Sequence, residues 1–151
     1  MSTSQTMNRT ATLEPQLEQE QEIMLNAQDA TATVAVKDLA KARRFYEETL
    51  GLKAEEESPN AITYKAGRTR LLVYPSSFAG TNQATSVTWG VGDAFDAILR
   101  DLQSKGVPFE HYDGLPQVTR DGDVHHAQGL KLAWFKDPDG NLHHLISIPR
   151  R

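Results

Sequence analysis

The chain contains no cysteine, which excludes disulfides, thiolate metal centres, zinc ribbons and cysteine nucleophiles together. Long apolar runs are missing too: nothing approaches the ~18 residues that a helical membrane span needs. No basic stretch followed by an apolar one opens the chain, so no secretory leader is read, the Asn8-Arg9-Thr10 sequon is incidental and a cytoplasmic location is expected. Positive charge is not in excess either. The formal net charge is -4, and the imbalance sits at the front, where Glu14, Glu18, Glu20, Glu22 and Asp29 face Arg9 alone. The rest of the chain holds equal numbers of acids and bases, a balance that gives no field to hold a nucleic-acid backbone. A G-x-S-x-G elbow is absent. In Gly90-Val91-Gly92 the third glycine of a dinucleotide loop is replaced by Phe95, and Asp93 would face the phosphates with the wrong charge, so no nucleotide cofactor is expected.

What is present fits one ordinary domain: 151 residues, with 38% hydrophobic and 24% charged residues. Residues 1–29 are rich in Ser, Thr, Gln and Glu and have little to bury, so they read as a polar, mobile tail; a short helix from about Pro15 to Leu25 is compatible with Pro in its first turn. From residue 30 the pattern sharpens. Thr31 to Val36 alternates with period two, placing Val34 and Val36 on one face and Thr31 and Thr33 on the other. Asp38 then stands at a helix N-cap, and Leu39, Ala42, Phe45, Tyr46 and Leu50 recur at helical spacing until Gly51. Short strands are expected at 52–57, 61–65 and 70–74, giving the order βαβββ.

The unit then repeats. Thr85 to Val91 alternates, Asp93 is expected to cap, Phe95, Ile98, Leu99 and Leu102 form a helix stripe, and Gly106 ends it. Asp38 to Gly51 and Asp93 to Gly106 span the same distance, and the two copies are offset by a constant interval, which marks an internal repeat. Strands are expected at 107–112, 130–136 and 142–148, with a polar loop over 113–128 and a turn at Asp137-Pro138-Asp139-Gly140.

With these motifs the chain resembles the vicinal oxygen chelate superfamily, which includes glyoxalases, bleomycin-resistance proteins and extradiol dioxygenases. The matching features are the Val36-Lys37-Asp38-Leu39 junction, Phe45-Tyr46 followed by Leu50-Gly51-Leu52, and Phe135 through Asn141. The resemblance implies an α+β fold, with two βαβββ modules at about 30–78 and 84–149 forming curved mixed sheets around a small-molecule cavity, and residues 30–151 as a single glyoxalase-like domain. It also implies a homodimer. One such fold hosts many chemistries.

Metal-dependent members of that family hold a divalent cation on four side chains. The corresponding positions here are Thr31, Leu72, Ser86 and His144, a set with one imidazole and no carboxylate, so no metal is expected. Five histidines lie in the second half, at 111, 125, 126, 143 and 144; adjacent His143 and His144 must point to opposite sheet faces. His125 and His126 fall in the polar loop and read as solvated. With Ser86, Thr88 and Gly90 on the cavity face, Trp89 joins Val87 and Val91 in the core, and either Trp134 or Phe135 lines the cavity. Tyr74, Ser76, Ser77, Thr81 and Asn82 read as an inter-module linker. The expected ligand contacts are therefore Thr31, Thr33, Tyr64, Tyr74, Ser86, Thr88, His126 and Trp134, with His144 as an acid/base candidate. The leading function is binding of a small, partly apolar molecule. The alternatives are a metal-independent lyase or isomerase using His144 with Tyr64 or Tyr74 as hydrogen-bond donor, and a metal-dependent lyase or dioxygenase with displaced ligands among His111, His125 and His126.

Overall fold

The computed structural model describes residues 24–149. The chain divides between Ala30 and Thr31 into two units. In the first, Leu25–Ala27 makes one 3₁₀ turn. The mobility expected of the leading segment and most of the helix expected before Leu25 lie outside the described residues.

In the second unit, β1 (Ala32–Val36) is followed by α1, which starts as an α-helix over Leu39–Arg43 and widens to π geometry over Arg44–Thr49. Asp38 starts it as expected: its extended backbone lets the carboxylate accept from the N–H groups of Ala40 and Lys41. The wider turn closes with Leu50 N–H donating to the Phe45 carbonyl. Within it, consecutive Phe45 and Tyr46 both reach the core. Then β2 (Lys53–Ser58), β3 (Ala61–Ala66) and β4 (Thr69–Pro75) complete a four-stranded sheet ordered β1-β4-β3-β2, with β1 and β4 parallel.

The second copy runs β5 (Thr85–Gly90), a 3₁₀ turn at Gly92–Ala94, α2 (Phe95–Ser104), β6 (Thr119–Asp121), β7 (Val124–Ala127), β8 (Leu130–Lys136) and β9 (Leu142–Ile146). Its five strands are ordered β5-β9-β8-β7-β6, so β9 pairs parallel to β5 as β4 pairs to β1. The repeat read from the sequence is thus an architectural repeat, and the α+β class with two mixed sheets holds.

Two expectations fail locally. Residues 107–112 do not form a strand: Pro108 removes a backbone donor, and only Phe109 makes an isolated bridge, to Phe135. The expected loop instead contains the β6–β7 hairpin, turned at Gly122 with φ 61°. Asp93 also does not cap α2. It lies inside the 3₁₀ turn, and the N-cap position is Ala94, which gives no side-chain bond.

Both helices cover the same kind of surface. Val34, Val36, Ile62, Tyr64, Leu71 and Val73 of the first sheet pack under Ala42 and Tyr46, and Ala133, Phe135 and Leu145 of the second pack under Phe95, Leu99 and Leu102. Burying each of the larger of these side chains contributes about 2 kcal/mol. Phe45, Leu50 and Trp89 touch both clusters and join the modules. The opposite face of each sheet is left uncovered by helix, and that open face carries the alternate side chains of every strand.

Candidate functional site

Strand register assembles the open face of the second sheet. Thr88 of β5 stands opposite His144 of β9, which stands opposite Trp134 of β8, so the three form one row across the sheet. The Trp134 and His144 rings lie 4.6 Å apart and within 10° of parallel. The neighbouring row is Gly90, Ile146, Leu132, His125 and Arg120. His125 meets the Trp134 ring at 4.9 Å and 87°, and Tyr112, from the segment after Phe109, meets it at 5.4 Å and 85°.

The electrostatics of this cluster favour neutral rings. Burial pushes the His144 imidazole below its ordinary pKa, helped by the nearby His125, and burial does the same to His125. Burial also holds the Tyr112 phenol above its ordinary value. His125 Nε2 accepts from the Tyr112 backbone N–H at 3.0 Å. The Nε2 of His144 is buried and has no hydrogen-bond partner among the described residues, which leaves a directional polar atom beside a flat apolar surface.

Of the residues expected to contact a ligand, Thr88, Trp134 and His144 come together. Thr33 and the 37% exposed Tyr74 occupy the open face of the other sheet, on β1 and β4, and Thr31 precedes β1 and is exposed. Ser86 sits at a register shift in β5 and is half-buried. Two placements are corrected. Tyr64 is on the helix side: it shares its alternation phase with Ile62, is fully buried, and stacks on Tyr46 at 5.8 Å. Its phenol has no hydrogen-bond partner among the described residues and is pushed up to about 12 by burial, so it is a core ring rather than a cavity donor. His126 is exposed and pairs with Lys131 and Thr119, so in β7 it points away from the face occupied by His125. The two histidines exchange roles because residues 124–127 form a strand.

The helix side holds a second polar arrangement. His143, fully buried, accepts at Nδ1 from the Trp89 indole N–H at 3.0 Å. Indole can only donate, so the neutral ring carries its proton on Nε2, which donates to the Tyr46 hydroxyl at 3.1 Å. Tyr46 donates in turn to Asp137 at 2.9 Å. Asp137 also accepts from the Asn141 and Asp139 backbone N–H groups and from the Asn141 amide, which reaches the Ala35 carbonyl at 2.7 Å. The Asp-Pro-Asp-Gly-Asn turn is therefore a clasp between modules, with both His143 nitrogens engaged and unable to reach a ligand.

Three of the four positions that bind metal in the resembling family, Thr31, Leu72 and Ser86, offer at most a neutral hydroxyl, and Leu72 faces outward in register with Thr33. Among the described residues no three His, Asp or Glu side chains gather in a way that could hold a metal ion. Nor is any helix among them long and apolar enough to cross a membrane.

Residues 28–145 match the model of the glyoxalase/bleomycin resistance protein/dioxygenase superfamily. The chain belongs to this superfamily. Solved members share its fold: a bleomycin-binding protein complexed with bleomycin (22% identity, TM-score 0.61, 81% of this chain and 99% of that one). Others are a lactoylglutathione lyase from Agrobacterium tumefaciens (19%, 0.58, 80% and 92%) and a superfamily protein from Alicyclobacillus acidocaldarius (22%, 0.59, 82% and 93%). No curated protein matches. Superfamily membership accounts for the duplicated module.

Proposed function

We propose that this superfamily member binds a small, planar, partly apolar molecule on the open face of its second sheet, without a resident metal. The observation that carries the reading is the parallel pair of Trp134 and His144 with the unpartnered Nε2 of His144 beside it. A flat ring adds to such a surface by offset stacking, worth about 1 kcal/mol beyond the area it buries, and a polar atom on the ligand satisfies the buried nitrogen. The bleomycin complex of a superfamily relative supports small-molecule binding as a use of this fold. The residues at the family's metal positions support the absence of a metal: hydroxyls, an aliphatic and one imidazole do not match the charge or donor strength that a divalent ion takes from its protein ligands. Pairing of two copies as a homodimer, through edge strands β2 and β6 or through the open faces, fits sheets that leave edges and one surface uncovered.

A second reading rests on the same nitrogen. A neutral, half-buried His144 is in the right state to accept a proton at pH 7, which makes a metal-independent lyase or isomerase the alternative, with Tyr74 rather than Tyr64 as the available phenol. Isothermal titration of ligands found by thermal shift separates the readings. Binding lost in both Trp134→Ala and His144→Ala with no product formed supports a binding protein. Turnover abolished by His144→Gln while binding persists supports an enzyme.

A further inference from the structure

A second cavity runs along β5, in the seam between the modules. Its apolar chamber, about 190 Å³ and open to the surface, is walled by Leu50, Trp89, Ile98, Leu102, Phe135 and Leu145. A volume of this size, compared with the ~150 Å³ of a cavity that holds benzene, has room for one ring or a branched alkyl group. Trp89, Val91 and Ile98 continue from the chamber into a larger cleft of about 790 Å³. The mouth of the cleft is polar, with Ser86 and Thr88 on the free edge of β5 facing Thr69, Arg70 and Arg68 of the β3–β4 hairpin.

The charges at this mouth are unequal. Arg70 is paired with Glu55 at 2.8 Å, and Asp101, which lines the apolar chamber, is paired with Lys105 at 3.0 Å. Arg68 has no ion-pair partner among the described residues. A guanidinium on a cleft that continues into an apolar chamber suits a molecule with the complementary two ends, since carboxylates accept from it bidentately while an aryl group leaves water for the chamber. We infer that the seam is a second binding site, for an aryl-alkyl carboxylate whose ring enters the chamber under Trp89 and whose carboxylate meets Arg68. Thr88 borders both surfaces, but neither Trp134 nor His144, which carry the reading above, lines this one, so variants at those two residues tell the two sites apart.

The two tryptophans make the site readable. In the Trp134→Phe variant Trp89 is the sole indole, and the stacking indole of the open face has been removed. Titration of this variant with 3-phenylpropionate should shift Trp89 emission saturably, and 3-phenylpropanol, which has the ring without the charge, should do so more weakly. Adding Arg68→Gln, an exposed hairpin change, should weaken the carboxylate by roughly tenfold and leave the alcohol within about twofold. Adding Ile98→Phe, which fills the chamber, should remove both responses, with thermal unfolding showing that the variant is folded. The proposal is overturned if neither compound shifts Trp89 emission at millimolar concentration, or if Arg68→Gln affects acid and alcohol alike. Undiminished binding in folded Ile98→Phe protein also overturns it.

Discussion

The Trp89 indole N–H donates to Nδ1 of His143 across 3.0 Å, and this one bond fixes the tautomer of the most buried histidine in the clasp between modules. The proton so placed on Nε2 lets Tyr46 turn its own hydroxyl to Asp137. Trp89→Phe keeps an aromatic ring of smaller size and removes the donor, leaving Nδ1 buried and unpaired. The expected loss is about 1–3 kcal/mol of unfolding free energy. Tyr46→Phe should cost a similar amount, and the double variant should cost less than the sum, because the two changes break one chain of bonds. Urea unfolding of the four proteins measures this, and strict additivity would show that the bonds act separately.

Stability should fall as pH is lowered from 7 towards 5. His143 is pushed down to about 4 by burial, against 6.5 when unperturbed. Between those values the unfolded chain binds a proton that the folded chain refuses, so full stability is present above about 6.5 and is lost progressively until about 4, by roughly 3 kcal/mol from this group. His125 and His144 are also held low by burial and act in the same direction. Asp137 is held high by burial, so its folded form takes up a proton first and offsets part of the loss at the acid end. A urea midpoint that does not move between pH 7.5 and 5.5 would contradict the buried neutral imidazole.

Gly80 should not accept a side chain. Its φ is +75°, and a Cβ built there would collide with the Asp139 carbonyl of the clasp turn. Gly80→Ala is expected to lower the melting temperature by several degrees, roughly the effect of 1–2 kcal/mol in a chain of this size. By contrast Gly67→Ala, also at positive φ but with open space around the new Cβ, should carry the backbone strain alone and cost less.

Much of this fold was legible in the sequence because the module occurs twice. Asp38 and Gly51 mark the ends of α1, and Gly106, with φ +80°, marks the end of α2 as the repeat demands. Period two put His143 and His144 on opposite faces. It could not choose between Trp134 and Phe135, a choice made by the partner strand: Phe135 pairs with buried His143 and Trp134 with His144. The site was less legible where strand identity itself was in doubt. Residues 119–127 are polar and interrupted by Gly122, so their hairpin gave no apolar alternation, and His126 was expected where His125 stands. Tyr64 carried its own phase beside Ile62, but a phenol's capacity to donate outweighed the pattern. The clasp rests on contacts far apart in sequence, Tyr46 to Asp137 and Ala35 to Asn141, which no local signal encodes.

Two copies should associate. Light scattering is expected to give a mass near twice 16.8 kDa, and a concentration-independent monomer would show that the uncovered sheet faces and edges need no partner.

The most direct test of metal-free binding uses protein treated with EDTA and checked by elemental analysis. A metabolite library is screened against it by thermal shift, and the hits are titrated into the wild type and into the Trp134→Ala and His144→Ala variants, with and without added Zn, Ni, Mn or Fe. The account predicts compounds that raise the melting temperature of stripped wild-type protein, bind equally well with and without metal, and lose affinity in both variants. Binding that appears only when metal is restored, together with close to one metal per chain lost in His144→Ala, would contradict it.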